Sequence, residues 1–505
     1  MEPIPTAVWG FHGIEGVLDR LVASGVLRIP FNPSPKQHCL ATHNPYRFIS
    51  RTRLEYEFPP QLYQKFFHEN FAPFMANVSR QDSYLGTHTD YPSAVQWFRQ
   101  TIAILYNEYM RHGIVLTVLG GFPHETIDFL MFALSKMLGI KTVLTLSGYT
   151  YDTSDPVFFI ADKPDDYGRF RGRPHVNPNV LSPGLPERMR EASFKAVNPT
   201  VDMESRLIRQ RLLDTKFAYR RYNEFLLEEY DRLLAAVSQE DFRPGSFKDK
   251  YAYFPLHYQP EASTMGSCDL VFEDQLFALE SIARRLPDDI YLVVKEQPFQ
   301  SSYNRPPLFF ERLLQLDNVI VAPKMTSSLE LIDNSLFVAT INGTAGWEAL
   351  TRGKPVVCFG YSLYREMPGA FEFTEAIDLQ AVMNHVIDQE DLSQALADLY
   401  ATAYPGNLFA HLPGSNSPDN LDQVATSVWR YMEGFMECNP GYLPAMAEKM
   451  AELASQSRIV CRTRPDGWLG GKMAEKVHPL DSPVRMTGAI YRDAFYRFEP
   501  GEEPR

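Results

Sequence analysis

Apolar residues in the second half of the 505-residue chain fall into short runs, and the segments between these runs have apolar residues at helical spacing. Short apolar runs bounded by turn-forming residues are typical of buried strands in a parallel sheet. The strands predicted in this way are residues 251–256, 290–294, 319–322, 336–340 and 356–359. Strands that alternate with helices predict a doubly wound α/β sheet, and the ligands of such sheets bind beyond the carboxyl ends of the strands.

The first half of the chain contains the same alternation once. Residues 95–111 have the spacing of a helix, residues 114–119 are an apolar run, a helix opens at residues 122–128 and ends near Gly139, and residues 141–146 are the next run. A strand, a helix and a second strand in this order form a βαβ unit. The sequence therefore predicts two α/β regions.

The remaining segments have a less regular pattern. They are predicted to be helices at residues 14–27, 203–237, 386–403 and 421–435, a helical hairpin at residues 58–74, an exposed loop rich in Asp and Arg at residues 152–173, and an irregular segment after residue 465. A composition break with a Pro-Gly turn at residues 241–246 is typical of a domain boundary.

Three parts of the chain follow from this boundary. Residues 1–245 are expected to form an N-terminal α/β domain with helical additions, and residues 246–385 a Rossmann-like domain. Residues 386–505 are expected to form a helical segment with an irregular tail, and its amphipathic helix is predicted to pack back across the two domains.

Charge and cysteine content exclude several classes of protein. The formal net charge of −13 disfavours a nucleic-acid partner, because duplexes bind basic faces. The five cysteines have no regular spacing, which favours reduced thiols and offers no zinc site. The N-terminus lacks the pattern of a signal peptide, and no apolar run approaches the roughly 20 residues that span a bilayer. The sequence predicts a cytoplasmic protein, with peripheral attachment to the inner face of a membrane left open and the oligomeric state undetermined.

The turn after the predicted strand 336–340 is the first candidate for chemistry. Gly343 and Gly346 bracket the turn, and Thr344 is predicted to be the N-cap of a helix that begins at Ala345. Unpaired N–H groups at a helix N-terminus carry about half a positive charge, so a phosphate is their natural ligand. Glu348, one turn into the helix, is then placed to reach ribose hydroxyls. The alternative is that the glycines only permit close packing of helix on strand.

Polar clusters follow three of the predicted strands, at residues 257–261, 295–297 and 343–348. Because the carboxyl ends of parallel strands meet at one edge of a sheet, these clusters predict a single phosphate or nucleotide pocket. Arg365 lies in the loop after the last strand, and its guanidinium suits bidentate pairing with a phosphate or a carboxylate. The alternative for Arg365 is an ordinary surface arginine.

His124 and Asp128 lie on one face of the helix that opens the first α/β region, four residues apart. A metal site needs a third ligand, which the neighbouring sequence does not provide, so we predict no metal. His124 is instead expected to contact substrate or to cap the helix, and a purely structural histidine is the alternative.

Three motifs resemble the bacterial capsule and surface-polysaccharide biosynthesis proteins, which are similar to retaining β-Kdo transferases. They are YFPLHYQPEAST at residues 253–264, VKEQP at residues 294–298 and the Gly-rich segment 340–360. The clear match covers about residues 250–372, and residues 123–128 are compatible with the first domain of that family. The resemblance implies a GT-B glycosyltransferase, an α/β protein whose two Rossmann-like domains face a cleft, with the acceptor on the first domain and the donor nucleotide on the second. In the Kdo branch the donor is CMP-Kdo, and no metal is expected.

On this basis we expect a sugar to move from a nucleotide donor to a surface or capsular glycan, with retention. Glu261 is the expected nucleophile or oxocarbenium stabiliser, and His257 or His124 the expected general base. Lys295 and Arg365 would stabilise the charge on the departing phosphate. The residues expected to bind the donor are Lys295, Glu296, Gln297, Gly343, Thr344, Ala345, Gly346, Glu348 and Arg365.

Two departures from the family pattern leave alternatives open. Gln297 stands where the family has the histidine of Lys-Glu-His-Pro, and a glutamine donates hydrogen bonds only as a neutral group. Glu261 is matched to a position that is aspartate in the β-Kdo enzymes. The alternatives are a nucleotide-sugar epimerase or hydrolase of the same fold, and a catalytically silent binding subunit of a polysaccharide assembly complex.

Overall fold

The computed structural model of the chain describes most of residues 2–459. The described residues are 2–11, 13–33, 54–85, 89–148, 156–176, 242–259, 266–298, 300, 305, 307–408 and 414–459, with parts of 225–236. The predicted helix 203–237 lies mostly outside these ranges, and the predicted irregular segment after residue 465 and the candidate nucleophile Glu261 lie wholly outside them.

Strands of the described chain form two separate sheets. In chain order they are β1 (Ile4–Trp9), β2 (Leu27–Phe31), β3 (Leu116–Leu119), β4 (Lys141–Ser147), β5 (Val157–Ala161), β6 (Lys250–Pro255), β7 (Ile290–Lys295), β8 (Val319–Ala322), β9 (Val338–Thr340), β10 (Val356–Cys358), β11 (Ala370–Glu372) and β12 (Tyr404–Pro405). The first sheet has the order β12-β5-β4-β3-β1-β2, and the second has the order β11-β10-β9-β6-β7-β8.

Both sheets are built mainly from parallel strands. In the second sheet every described pair of strands is parallel. In the first sheet β5 is antiparallel to both of its neighbours, β4 and β12. We call the first sheet with its helices lobe 1 (residues 2–176 and 404–457) and the second sheet with its helices lobe 2 (residues 242–383). Two parallel α/β sheets confirm the predicted fold class.

Helices cover the strands of both lobes. They are α1 (Gly16–Ala23), α2 (Pro60–Leu85), α3 (Tyr91–His112), α4 (Thr126–Leu138), α5 (Leu270–Glu273), α6 (Gln275–Ala283), α7 (Pro307–Leu313), α8 (Ser328–Asn334), α9 (Thr344–Thr351), α10 (Leu379–Met383), α11 (Gln389–Ala401), α12 (Pro418–Cys438) and α13 (Tyr442–Ser457). None of the described helices combines the length and the apolarity that crossing a bilayer requires.

The C-terminal helices return to lobe 1. Helix α12 packs on α1, and α13 packs on α3. The Tyr442 hydroxyl accepts a hydrogen bond from the Lys141 amide and donates one to the Val115 carbonyl, so it joins the helical segment to β4 and to the residue directly before β3. Strand β12 lies in the predicted C-terminal segment and belongs to the first sheet. The exact boundaries 245 and 385 stay a prediction.

Two sequence predictions for lobe 1 were wrong. Residues 58–74 were expected to form a helical hairpin, but residues 60–74 lie in the single 26-residue helix α2, which contains Pro73. An interior proline costs a helix about 3 kcal/mol. The aromatic side chains of α2 offset this cost, since Phe66, Phe67, Phe71 and Phe74 all pack on Phe98 of α3.

The second wrong prediction concerns residues 152–173, which were expected to form an exposed loop. Residues 157–161 are the fully buried strand β5. The Val-Phe-Phe-Ile-Ala sequence of β5 is apolar enough for a buried strand. The loop was predicted because many charged residues follow this short run.

The two lobes belong to one compact unit and meet through an ordered contact. Gly168 of lobe 1 has a φ of +74°, and a Cβ at this position would lie 2.0 Å from the carbonyl oxygen of Ser362 in lobe 2. The Glu366 carboxylate accepts hydrogen bonds from the amides of Phe170 and Arg171, each at 2.8 Å. Only glycine permits so close an approach of the two backbones.

Candidate functional site

The middle of the second sheet brings one described residue from each of the three predicted polar clusters, His257, Lys295 and Gly343, to one edge. Strand β6 lies between β9 and β7, and Pro255 is in register with Lys295. The His257 Nε2 atom is 3.0 Å from the Thr340 hydroxyl, and a Cβ on Gly343 would lie 2.9 Å from His257 Cε1. We call His257, Lys295, Gly343 and Glu348 the strand-end cluster.

His257 is buried in this cluster and is a weak base. Burial, and then the positive charge of Arg305, lower the pKa of His257 to about 3. Its backbone amide donates to Gln275 Oε1 at 2.8 Å, which fixes the start of the loop after β6. A neutral imidazole that is hydrogen-bonded to Thr340 fits this environment, and protonation near neutral pH does not.

Lys295 and Glu348 are two ionisable groups close enough to influence each other. Burial lowers the pKa of Lys295 to about 8, although the charges of Glu296 and Glu348 oppose this shift. Burial raises the pKa of Glu348 to about 7, although the charges of Arg352 and Lys295 oppose it. Both groups therefore titrate near physiological pH, which is common at functional sites.

The Lys295 ammonium has little compensation for its burial. Lys295 is 4% exposed, and among the described residues its Nζ makes one long contact of 3.4 Å with the Glu296 carbonyl and no ion pair within 4 Å. A buried cation with few partners favours an anionic ligand, because the ligand then supplies the missing electrostatic stabilisation.

Glu296 follows Lys295, and protein groups bind its carboxylate. Both carboxylate oxygens of Glu296 accept hydrogen bonds from Arg305, and Oε1 also accepts one from the Gln297 amide at 2.8 Å. Glu296 is thus engaged by a protein cation in this structure. Arg305 was missed in the sequence, where it appears as a single arginine between polar residues and prolines without a recognisable pattern.

The Gly-rich turn differs by one residue from the prediction. Helix α9 begins at Thr344, and Gly343 rather than Thr344 is its N-cap. Thr344 and Ala345 occupy the first two helical positions, where backbone N–H groups have no intrahelical acceptor. These two N–H groups are the ones available to an anion at this helix N-terminus.

Both glycines of the turn are explained by close packing. The Tyr364 hydroxyl donates to the Gly343 carbonyl at 2.6 Å, and a Cβ on Gly346 would lie 2.2 Å from that hydroxyl oxygen. Close packing was the alternative explanation for the glycines, and it holds whether or not the turn binds phosphate. Tyr364 is the residue that requires glycine at position 346, and nothing in the sequence predicts this contact.

Replacing Gly346 with alanine should destabilise lobe 2, because the new Cβ would overlap with Tyr364. We expect a loss of about 1–3 kcal/mol, the usual cost of overpacking, measured as a lower midpoint of thermal unfolding. The cost should be smaller in a Tyr364→Phe background, which removes the hydroxyl and leaves the ring.

Gly434 provides the control for this substitution. It lies inside α12 with no atom within 4 Å of a Cβ at its position, so Gly434→Ala should not destabilise the protein. Equal midpoints for G346A and G434A would contradict the packing argument.

The structure places Arg365 in the contact between the lobes. It is buried, and its guanidinium pairs with Glu372 and with Asp165 Oδ1 at 3.1 Å, so it already has two carboxylate partners. Neither a surface position nor a contact with the strand-end cluster is observed. The sequence offered no sign of the partner Asp165, which lies 200 residues away.

His124 lies at the corresponding strand-to-helix turn of lobe 1. Its Nδ1 is 2.5 Å from the Phe122 carbonyl oxygen, so Nδ1 carries the proton of the neutral ring and Nε2 carries the lone pair. Asp128 accepts hydrogen bonds from the amides of His124 and Glu125 and caps α4. No group of three potential metal ligands occurs among the described residues.

Lobe 2 approaches this turn closely. A Cβ on Gly266 would lie 3.4 Å from the Pro123 carbonyl oxygen and 3.9 Å from His124 Cα. Gly266 is the first described residue after the stretch that contains Glu261.

Over residues 258–403 the chain matches the family model described as capsule polysaccharide biosynthesis protein. The resemblance to this family is confirmed. We call residues 258–403 the capsule-synthesis segment, and it contains β7 to β11 and the whole strand-end cluster except His257. The curated proteins contain no match to the chain.

Solved structures similar to the chain include glycosyltransferases and epimerases. Thermosulfurimonas dismutans KpsC, described as a β Kdo 2,7 transferase, is 13% identical with a TM-score of 0.30, and the match covers 65% of this chain and 89% of that chain. The β Kdo 2,4 transferase of the same KpsC is 12% identical with a TM-score of 0.28, covering 75% and 99%. Methanocaldococcus jannaschii UDP-GlcNAc 2-epimerase is 10% identical with a TM-score of 0.25, covering 85% and 99%.

Proposed function

We propose that the chain is a glycosyltransferase that moves a sugar from a nucleotide donor to a surface or capsular glycan, with retention and without a metal. The observation that carries this proposal is the buried Lys295 at the end of β7, whose charge interacts with Glu348 of α9 within the capsule-synthesis segment. Lys295 at the end of β7 and the helix N-terminus after β9 lie at one edge of the sheet with β6 between them, and this pairing of a cation with a helix N-terminus is suited to a phosphorylated ligand. CMP-Kdo is the donor that we propose to test first.

The phosphate would be held by Lys295 and by the N–H groups of Thr344 and Ala345. Because the pKa of Lys295 is about 8, its side chain is mostly protonated at pH 7 and can stabilise the charge that develops on the leaving phosphate. Glu348 would accept hydrogen bonds from the ribose. Arg365 has no part in this proposal, because Glu372 and Asp165 already engage it.

Transfer would proceed in two displacements. The Glu261 carboxylate attacks the anomeric carbon as the bond to the phosphate oxygen breaks, and the nucleotide leaves with the electron pair. The acceptor hydroxyl then attacks the glycosyl-enzyme, its proton passes to His124 Nε2, and the Glu261 carboxylate is released. Of the two candidate bases we propose His124, since the pKa of His257 is too low for a base at neutral pH. The acceptor would be presented at the inner face of a membrane.

Nucleotide binding and turnover test the proposal separately. The protein should be stabilised against heat by one of CMP, UDP or GDP and its sugar, by about 2.7 kcal/mol at a concentration 100 times the Kd. With donor and acceptor together, a new glycosidic product should form. Product from the donor alone would indicate an epimerase or a hydrolase, and binding without turnover would indicate a silent subunit, which the glutamine at position 297 keeps in consideration.

A further inference from the structure

Lys324 is a second lysine at the edge of the second sheet where the strand-end cluster lies. Strand β8 ends at Ala322, which is in register with Lys295 of β7, and Lys324 follows two residues later. A turn in which the Thr326 amide donates to the Pro323 carbonyl at 2.9 Å encloses Lys324. Lys295 and Lys324 therefore lie at the carboxyl ends of two neighbouring parallel strands.

The ammonium groups of both lysines lie against backbone carbonyls of the loop after β7. Lys295 Nζ is 3.4 Å from the Glu296 carbonyl oxygen, and Lys324 Nζ donates to the Gln300 carbonyl at 2.6 Å. The Gln300 amide donates to the Gln297 carbonyl at 3.0 Å, so this loop contains a turn. Two positive charges are thus held along one short loop.

Gln300 fixes this loop to the middle of the sheet edge. Its side chain is fully buried, its Oε1 accepts a hydrogen bond from the Gln259 amide at 2.5 Å, and its Nε2 donates to the Gln259 carbonyl at 2.9 Å. Gln259 follows β6, the strand between β9 and β7. The carbonyl that binds Lys324 therefore belongs to a residue that is anchored to the loop of His257, within the strand-end cluster.

Two lysines placed in this way raise the free energy of the protein unless an anion compensates them. Like charges repel, and burial weakens the screening by water. Lys295 is almost fully buried, and Lys324 is half-buried. Burial lowers the pKa of Lys295 to about 8, and the charge of Lys324 contributes to the lowering. A ligand with negative charge near both ammonium groups would relieve the repulsion.

The spacing of the strands favours two anionic groups over one. Adjacent strands are about 4.8 Å apart, so the ends of β9, which leads into α9, and of β8 are about 14 Å apart across the intervening strands β6 and β7. A single phosphate at the α9 N-terminus and Lys295 is too small to span this distance. Two linked anionic groups, one nearer β9 and one nearer β8, match it.

We propose that Lys324 is a second cation of the donor site and binds a second anionic group of the donor, beyond the phosphate held by Lys295 and α9. The inference rests on the proposed function, because it takes that phosphate as given. The second group is either the β-phosphate of a nucleoside diphosphate sugar or the carboxylate of an acidic sugar, as in CMP-Kdo. In both cases an oxyanion accepts charge-assisted hydrogen bonds from the ammonium.

Lys324→Met tests this contact through the affinities of matched ligands. The native protein and the variant are titrated calorimetrically with CMP, UMP and GMP, with CDP, UDP and GDP, and with CMP-Kdo. For the native protein, a diphosphate or CMP-Kdo should bind about 10- to 100-fold more tightly than the monophosphate of the same base. In K324M the affinity for that ligand should fall about 10-fold or more, and the affinity for the monophosphate less than about threefold. A loss for the diphosphate identifies a β-phosphate, and a loss for CMP-Kdo identifies a carboxylate.

The pH dependence of monophosphate binding gives a readout that a purely structural role of Lys324 would not change. The charged groups that act on Lys295 are Glu296 and Glu348, which raise its pKa, and Lys324, which lowers it. Removing Lys324 therefore raises the pKa of Lys295, and the alkaline loss of monophosphate binding should begin at a higher pH in K324M than in the native protein. Lys324→Arg keeps the charge and should keep the native pH profile.

Lys354→Met is the matched control. Lys354 is also half-buried and also donates to a backbone carbonyl, that of Ser335 at 2.8 Å, but it precedes β10 and lies at the amino ends of the strands. K354M should bind every ligand as the native protein does. The inference would be overturned by equal native affinities for the monophosphates and the other ligands, by equal losses for all ligands in K324M, or by the same affinities in K324M and K354M. In each of these cases native nucleotide binding leaves the proposed function in place, whereas a native protein that binds none of the ligands would overturn both.

Discussion

Glutamine in place of Glu261 should abolish sugar transfer, lowering kcat by at least about 10³-fold, while the Kd of the nucleotide changes little. A carboxamide has nearly the shape of a carboxylate but is neither a competent nucleophile nor a charge that stabilises an oxocarbenium ion. The phosphate-binding groups Lys295, Thr344 and Ala345 are unaffected by the substitution. Kinetics with the donor and acceptor give kcat, and the thermal shift with nucleotide gives binding.

Glu375 supplies the matched control, since it is an exposed glutamate of lobe 2 that pairs with Arg285. Glu375→Gln should retain native kcat and native nucleotide binding. If E261Q turned over at the native rate, Glu261 would have no place in the mechanism, and another carboxylate would have to be sought.

Methionine in place of Lys295 should lower kcat/KM for the donor about 10²- to 10³-fold, because it removes the charge that faces the leaving phosphate.

The pH dependence of donor kcat/KM gives a second test of the role of Lys295. The pKa of Lys295, about 8, lies below its ordinary value, so the binding-competent ammonium is lost as the pH rises through 8. The donor kcat/KM should therefore fall above pH 8 in the native protein. Lys295→Arg should move this fall to much higher pH, since arginine stays protonated.

Lys354 is the control for the lysine substitution. Burial also lowers the pKa of Lys354, and its ammonium donates to the Ser335 carbonyl at 2.8 Å, at the opposite end of the strands of lobe 2. Lys354→Met should leave the pH profile unchanged. If the donor kcat/KM of K295R still fell above pH 8, a group other than residue 295 would be responsible for that fall.

Lobe 2 could be predicted from the sequence because each of its strands is marked by the residues of that strand alone. Each strand of the alternating pattern is an apolar run, and β6, β7 and β8 lie within one residue of the predicted bounds. Strand β11 was missed, since its three residues are half-buried or exposed and carry no apolar pattern. The edge of the sheet then follows from the rule that parallel strands end together, which brings Gly343 next to His257 and Lys295 into register with Pro255.

Lobe 1 was less predictable because its pattern is interrupted. Pro5 and Pro30 lie inside β1 and β2, and proline ordinarily argues against a strand. Strand β2 tolerates Pro30 because it is an edge strand, and β1 has an irregular register with β2 after Pro5. Only the three-dimensional pairing reveals these accommodations.

The finer parts of the candidate site depend on contacts between residues far apart in sequence. Arg305 binds the His257 carbonyl 48 positions away, and Tyr364 binds the Gly343 carbonyl 21 positions away. Neither contact has a periodic signature, because each is a single side chain that meets a backbone carbonyl. Composition and spacing identify the edge of the sheet where a ligand would bind, whereas the side chains that fix its geometry have to be observed.

Strand β12, which pairs with β5 at the edge of the first sheet, has a consequence for biosynthesis. Residues 404–405 leave the ribosome after all of lobe 2, so lobe 2 can be complete while β5 still presents an unpaired edge. An uncovered edge is prone to pair with other chains. Nascent protein that stalls between residues 383 and 404 therefore exposes the edge of β5 to aggregation, and chaperones would be needed during that interval of translation.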